Sequence, residues 1–400
     1  MDPKLINDCV HCGFCLPTCP TYALWGEEMD SPRGRIHLMK QHVEGTPITP
    51  EMAGHFDACL GCMACVTACP SGVRYDRLIE LTRVEVERQH VREPEDRAVR
   101  GIVFSLFPYP RRLRLLRPTM WLAERMAPFL ARANPSLGAM AALAPRVERR
   151  QRLPRLVRAR GERRATVGML LGCVQREFFP QVNAATARVL ALEGCDVVVP
   201  PEQGCCGALS VHSGRDAQAR RLAGRTIRAF ERAGVDTVVV NAAGCGSSMK
   251  EYAELLGHEP PFRVVDLSEY LAELGPVAKR HPLPLTVAYH DACHLAHAQG
   301  VRAQPRELLS AIPELELREI PESAICCGSA GTYNLLQPEA ARDLGDRKAR
   351  AVGTTGAELL VSANPGCTMQ IAAAMRRGGA TIRVAHTAEV LDASLRGVML

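Results

Sequence analysis

Four hundred residues exceed what one ordinary core organises, and they predict two or three domains. A composition that is 47% apolar and 23% charged describes a globular chain, and an aromatic content of 4% argues against base-stacking platforms, so no nucleic-acid partner is expected. The net charge of +6 is uneven: residues 97–164 hold seventeen arginines, no lysine and three acids, which leaves the rest net acidic at 32 basic against 40 acidic residues.

Seventeen cysteines are many for this length, and sixteen of them fall into repeated motifs. No apolar leader precedes the first motif and no apolar run reaches eighteen residues. Metal ligation in a reducing compartment therefore fits better than a disulfide framework. The chain is expected to be cytoplasmic, or peripheral on the inner face of the cell membrane.

Residues 1–95 form the first expected domain. Cys9-x2-Cys12-x2-Cys15-x3-Cys19-Pro20 is followed by Cys59-x2-Cys62-x2-Cys65-x3-Cys69-Pro70. Three thiolates two residues apart can wrap one face of a cubane while the fourth points away, and in paired motifs that fourth cysteine ligates the other cluster. Cys9, Cys12, Cys15 and Cys69 are thus assigned to one [4Fe-4S] cluster, and Cys59, Cys62, Cys65 and Cys19 to the second. Structural zinc more often uses two separated C-x2-C knuckles, which counts against it here. Arg33 and Arg35 either raise a cluster potential by charge or face solvent.

Residues 96–165 form an Arg-rich linker. Pro108, Pro110, Pro118, Pro128, Pro135, Pro145 and Pro154 are expected to break it into short helices. The stretch from Ile102 to Leu130 mixes Phe104, Leu106, Phe107, Tyr109, Trp121 and Leu122 with Arg111, Arg112, Arg114 and Arg117. That mixture suits either an interfacial membrane helix or a linker packed on the first domain. A basic segment between acidic domains also reads as a docking surface for anionic lipid or an acidic partner.

Residues 166–280 and 281–400 repeat one order of elements. In the first, a strand over 166–171 reaches Cys173, a helix spans about 180–193, and a strand over 197–199 leads to Cys205-Cys206-Gly207. A helix over 216–233 and a strand over 237–240 then deliver Cys245. In the second, a strand over 285–289 reaches Cys293 and an extended segment near Ile325 reaches Cys326-Cys327-Gly328. A helix over 338–352 and a strand over 358–362 then deliver Cys367. Such alternation predicts parallel βαβ units with ligand sites beyond the carboxyl ends of the strands. The expected class is α/β: an α-helical two-cluster ferredoxin-like domain followed by two repeated cysteine-rich domains.

Adjacent cysteines followed by glycine are poor disulfide partners but good metal ligands where a tight turn aims both sulfurs at one centre. Cys173, Cys205, Cys206 and Cys245, and likewise Cys293, Cys326, Cys327 and Cys367, are candidate ligands for one or two further iron–sulfur clusters. Buried structural thiols are the alternative. Cys195 lies outside both patterns and reads as a core thiol. His290, His294 and His297 surround Cys293, and His212 follows the first Cys-Cys-Gly turn. They read as hydrogen-bonding neighbours of the thiols, with zinc ligation beside Cys293 as the other option. No Gly-rich phosphate loop occurs in a strand–turn–helix context, so any FAD is expected on a partner subunit only.

The repeated C…CCG…C pattern resembles the cysteine-rich domain pair of heterodisulfide reductases and of iron–sulfur subunits of flavin dehydrogenases. With the N-terminal quartets, the whole chain is similar to the iron–sulfur subunits of glycolate dehydrogenase (glycolate oxidase). The matching segments are Cys9-Val10-His11-Cys12-Gly13-Phe14-Cys15, Pro32-Arg33-Gly34-Arg35-Ile36 and Cys69-Pro70-Ser71-Gly72-Val73-Arg74-Tyr75, then Asn183-Ala184-Ala185-Thr186-Ala187-Arg188-Val189-Leu190 and Cys326-Cys327-Gly328-Ser329-Ala330-Gly331-Thr332-Tyr333. The resemblance implies an electron-transfer subunit in a complex with FAD-binding dehydrogenase subunits that oxidise glycolate or another 2-hydroxy acid. Electrons would pass to a quinone or membrane acceptor, and no catalytic residue falls on this chain. Heterodisulfide reductase repeats end in C-x-x-C, whereas Ser248 and Gln370 stand at the corresponding positions here. That departure favours an ordinary cubane, or no cluster, over an open one. A heterodisulfide or thiol reductase and the iron–sulfur subunit of anaerobic glycerol-3-phosphate dehydrogenase are the alternative readings.

Overall fold

The structure, a computed structural model, describes residues 3–89, 92–133, 138, 141–144 and 151–400. The N-terminal region is helical: Pro3–Asn7, Pro20–Trp25, Pro32–Val43, Pro50–Ala58, Ala64–Thr67 and Tyr75–Gln89. Proline opens several of these helices, where its missing N–H costs nothing. Ser31 and Thr49 cap two of them by accepting hydrogen bonds from Gly34 and Met52 at 3.0 and 3.2 Å. Ile36, Met39, Met52, Phe56, Leu78, Ile79 and Val86 form the core beneath the cysteine loops.

The Arg-rich stretch is broken into helices Pro94–Leu106, Pro110–Leu116 and Met120–Ala133, with a 3-10 turn at Arg117–Thr119. Pro128 lies inside the third helix instead of ending it; Pro135, Pro145 and the Trp121 side chain fall outside what is described. The stretch is anchored at its start and at its second helix. Arg92 and Arg100 reach Asp57 at 2.6 and 3.1 Å, and Arg114 reaches the buried Glu177 at 3.0 Å. No described helix is long and apolar enough to cross a membrane.

Nine short strands follow among the described residues: β1 (Leu156–Val157), β2 (Ala165–Leu170), β3 (Cys195–Val198), β4 (Thr237–Val240), β5 (Arg263–Asp266), β6 (Leu285–His290), β7 (Leu315–Glu319), β8 (Leu359–Ser362) and β9 (Arg383–Ala385). They build two sheets, ordered β1-β3-β2-β4-β5 and β7-β6-β8-β9. All pairings are parallel except the antiparallel edge strand β1. Leaving β1 aside, the two sheets have the same order, so the sequence repeat is a repeat of topology. The edge strands β1, β5, β7 and β9 were not read from the sequence. The segment near Ile325 is a turn, and the strand in its place is β7, whose alternating Leu and charged residues suit a half-exposed edge. One apolar core is shared by both halves, with Val167, Val189, Leu190 and Leu267 meeting Leu285, Leu359, Leu391 and Leu395.

Candidate functional site

All seventeen cysteines are free thiols, and sixteen of them gather in four groups. Cys9, Cys12, Cys15 and Cys69 line one pocket at the N-terminal surface, with Cys65, Ile36, Val73 and Tyr75 in its wall. Cys12 is exposed, and Val10 and Phe14 beside it are 67% and 65% exposed. The two cysteine loops share a backbone pattern. Two residues after each first cysteine, His11 and Gly61 have φ of 54° and 62°; two residues further, Gly13 and Met63 have φ of 88° and 62°. Alternating left-handed residues curl a chain into a concave nest of N–H groups suited to anions such as sulfur clusters. In the second loop the Gly61 N–H donates to Cys59 Sγ at 3.3 Å. Thiols around a concave, N–H-lined loop fit a cluster with thiolate ligands.

Cys19, Cys59, Cys62 and Cys65 are buried together. Burial pushes the Cys62 and Cys65 thiols well up, and neighbouring thiols add to it: Cys293 and Cys19 for the first, Cys62 and Cys59 for the second. Burial acts on Cys59 too, but Arg35, Arg83, the Tyr75 hydroxyl and the Gly61 N–H outweigh it and hold that thiol below its ordinary value. Arg35 is 1% exposed and donates to Thr21 Oγ1 at 3.2 Å, Asp30 Oδ1 at 3.0 Å and the His55 carbonyl at 2.6 Å. Arg33 instead braces the outer loop, pairing with Glu28 at 2.6 Å and donating to the His11 carbonyl at 3.2 Å. Arg83, which donates to the Cys59 carbonyl, lies outside every motif, and Tyr75, which donates to Cys59 Sγ at 3.6 Å, closes the segment that begins at Cys69 with nothing local to signal its contact with Cys59.

In the first cysteine-rich half, Cys173 follows β2 at Gly172, and Cys205 and Cys206 sit on a turn that Gly207 closes with φ 96°. Cys245 lies in the first turn of the helix Ala243–Lys250. Cys205 contacts Cys173 and Cys206, and Cys206 contacts Cys245 in turn, so all four thiols are brought together. Hydrogen bonds from Cys205 and Cys245, against the cost of burial, hold the Cys206 thiol well below its usual value. Ser248 is buried nearby with no hydrogen-bond partner for its hydroxyl among the described residues.

The second half repeats this arrangement. Cys293 and Cys326 are 4.0 Å apart, Cys326 contacts Cys327, and Cys327 contacts Cys367, which accepts from Asn364 Nδ2 at 3.4 Å. Gln370 is occupied structurally, donating to the Ala341 carbonyl at 2.6 Å and accepting from Asn334 at 3.1 Å.

The histidines divide. His212 and His294 face each other with ring centroids 4.9 Å apart, His212 lies 3.7 Å from Glu80, and His297 Nδ1 is 2.7 Å from Thr67 Oγ1. These three sit where the helical domain meets the two halves. His290 stands apart, at the end of β6; burial lowers it to about 3, as it lowers His294 to about 3 and His212 to about 4. Leu60, Cys62 and Ala64 share one apolar cluster with Cys293, Ile325 and Cys326, which brings the inner N-terminal thiols against the second half. Cys195 is a core thiol, 3.7 Å from the Tyr270 hydroxyl.

Three family models match the chain: the 4Fe-4S dicluster domain over residues 5–73, the linker region of the glycolate oxidase iron-sulfur subunit over 95–146, and the cysteine-rich domain over 167–250 and 287–372. The chain is 37% identical to a probable glycolate oxidase iron-sulfur subunit of Bacillus subtilis, across 98% of this chain and 94% of that one. It is 36% identical to the glycolate oxidase iron-sulfur subunit of Escherichia coli, across 98% and 95%. Lactate utilization protein A of Halalkalibacterium halodurans is 32% identical across 56% of this chain and 96% of its own. Among solved structures, a hypothetical protein from Helicobacter pylori aligns with a TM-score of 0.50 and 10% identity over 90% of this chain and 66% of that one, a likeness of fold alone.

Proposed function

The chain belongs to the glycolate oxidase iron–sulfur subunit family, and from that premise we propose that it is the electron-transfer subunit of a flavin-dependent glycolate dehydrogenase complex. FAD-binding partner subunits would oxidise glycolate, and a quinone at the membrane would be the acceptor. The likeness to lactate utilization protein A supports 2-hydroxy acids as the wider substrate class.

In this reading Cys9, Cys12, Cys15 and Cys69 hold the outer cluster, and Cys59, Cys62, Cys65 and Cys19 the inner one. Bound four-iron clusters supply one-electron redox chemistry, with potentials set by ligation, burial and local charge. The residues of the chain set those terms differently at the two places. The outer thiols open to solvent beside the exposed Val10 and Phe14, a surface accessible to a redox partner. The inner thiols are walled off from water, with the Arg35 cation beside them to offset buried negative charge.

One observation carries the proposal: Cys62 packs against Cys293 and Cys326 in a single apolar cluster, so a surface-exposed thiol set, a buried set and a third set adjoin in series. That arrangement suits conduction through the chain. The Arg-rich helices, with Leu115 and Phe129 78% and 61% exposed among arginines, supply the docking face toward the membrane.

The first test is iron and acid-labile sulfide per chain on anaerobically purified protein, followed by mixing with the flavoprotein subunits and glycolate. At least about eight irons and bleaching of the visible absorbance only when both partner and substrate are present are expected. Glycolate oxidation by the single chain would overturn the assignment.

A further inference from the structure

The two cysteine-rich halves share their strand order and the placement of their thiols, and at one equivalent buried pair an apolar couple in the first half is replaced by a polar one in the second. The pairing of β2 with β4 sets Leu170 opposite Val240, and the pairing of β6 with β8 sets His290 opposite Ser362. Leu170 and His290 each precede the first cysteine of their half, Cys173 or Cys293, by three positions. Val240 and Ser362 each precede the last, Cys245 or Cys367, by five. The four positions are therefore equivalent.

In the first half the pair is apolar and belongs to the core that contains Cys173, Cys205 and Cys206. In the second half both residues are polar, His290 1% and Ser362 0% exposed. Neither ring nitrogen of His290 has a hydrogen-bond partner among the described residues, and neither does the Ser362 hydroxyl. Exchanging an apolar pair for two unpaired buried polar side chains is unfavourable unless something else bonds to them.

What lies beside His290 is sulfur. A ring nitrogen of His290, Cys327 Sγ and Cys367 Sγ all lie within 4.8 Å of one another. A tetrahedral ion with metal–sulfur bonds of about 2.3 Å and metal–nitrogen bonds of about 2.0 Å holds its donors roughly 3.5–3.8 Å apart, a contraction that side-chain rotation can supply. The Ser329 hydroxyl, unpartnered and buried as well, marks the same pocket as one with unfilled polar demand: a Cβ on Gly366, next to Cys367, would come within 2.5 Å of it.

We propose that His290 is a metal ligand, so that the second half closes a mixed imidazole–thiolate centre on His290, Cys327 and Cys367 where the first half offers thiolates alone. The proposal rests on reading the cysteine-rich halves as metal sites. Cys326 or Cys293 completes the donor set. Two occupants share this chemistry, a single zinc ion and an iron–sulfur cluster with one imidazole ligand.

The experiment uses the full chain purified without oxygen and replenished in parallel with zinc alone or with iron and sulfide. Metal content is measured together with X-ray absorption at both metal edges and pulsed electron paramagnetic resonance of the reduced protein. Nitrogen bound to zinc, or nitrogen hyperfine coupling on a reduced cluster, is expected, and either places His290 on the metal. His290→Leu installs the residue that the first half already tolerates; it should remove that nitrogen signal and weaken metal retention against a chelator by at least tenfold. His290→Cys should restore retention without the nitrogen signature. Metal in the second half with sulfur-only coordination, or a nitrogen signal unchanged in His290→Leu, overturns the proposal and leaves the halves as metal sites. No metal beyond that held by the N-terminal cysteines under either condition overturns both.

Discussion

Arg188 and Asp392, separated by 204 positions, form a two-pronged ion pair, with Nε–Oδ1 at 2.9 Å and Nη2–Oδ2 at 2.7 Å. They join the helices Pro180–Leu192 and Thr387–Arg396 and so tie the two cysteine-rich halves across their common core. Asp392 is nearly buried while Arg188 is about a third exposed, so solvent screening limits the pair to about 1–2 kcal/mol. Arg188→Met and Asp392→Asn should each destabilise by about that amount in urea unfolding, with the double variant costing less than their sum by roughly 1 kcal/mol. Strict additivity would mean that the pair does not couple the halves.

A second tie is a histidine. His386 caps the Thr387–Arg396 helix, its Nδ1 accepting from the Ala388 N–H at 3.0 Å while Nε2 donates to the Asn241 carbonyl at 2.8 Å. An Nδ1 that accepts cannot carry a proton, and burial lowers the group to about 4, only partly opposed by the Asn241 carbonyl. The folded value lies below the unfolded value of about 6.5, so the unfolded chain takes up the proton first as pH falls. Its contribution is complete above about pH 6.5 and is lost between there and about pH 4, by about 3 kcal/mol. His386→Asn keeps a capping acceptor and removes the titration. It should shrink the difference in stability between pH 7 and pH 4.5; an unchanged difference would refute the assignment.

Local pattern explains which features could be read in advance. The thiol spacings and the helix Asp216–Ala233, with its Gly234 terminator, are written within a few residues of themselves. Edge strands such as β9 are too short to show a period. Arg33 and Arg35 are alike in sequence, two residues apart on one helix, yet one faces the rim of the outer loop and the other is interred beside Cys59. Contact between Cys62 and Cys293 joins segments more than two hundred residues apart, which no motif encodes. His290 was visible only as one histidine among three near Cys293, and its actual neighbours, Cys327 and Cys367, come from two later segments of the chain.

The junction between the helical domain and the first half rests on a glycine. Gly214 has φ +71°, and a Cβ there would stand 2.2 Å from the Arg83 carbonyl oxygen. Gly257 has a similar φ of +83° with nothing within 4 Å, and it serves as the control. Gly257→Ala should cost only the backbone strain, about 1 kcal/mol. Gly214→Ala adds a clash that only separation of the two bodies relieves, and it should cost roughly 2–4 kcal/mol. Limited proteolysis should then cut the Gly214 variant between the helical domain and the halves at a protease dose that leaves the Gly257 variant intact; equal resistance would show that the junction yields without opening.

Arg35 combines structural and electrostatic roles that substitution can separate. Its guanidinium satisfies Thr21, Asp30 and the His55 carbonyl, and its charge lies beside Cys59 and Cys19. Arg35→Met strands the Asp30 carboxylate with His55, 3.0 Å away, as its remaining partner. Breaking a buried pair in this way costs about 3–5 kcal/mol. Arg35→Lys keeps the charge but loses the fork, so most of the stability loss should remain. A cation about 6 Å from a redox centre at an effective dielectric of about 20 favours the reduced state by about 3 kcal/mol, on the order of 100 mV for one electron. The inner centre should therefore become harder to reduce by about that amount in Arg35→Met and stay within a few tens of millivolts in Arg35→Lys. Equal potentials in the two variants, read by titration of the electron paramagnetic resonance signal, would mean that Arg35 acts only by holding the loop.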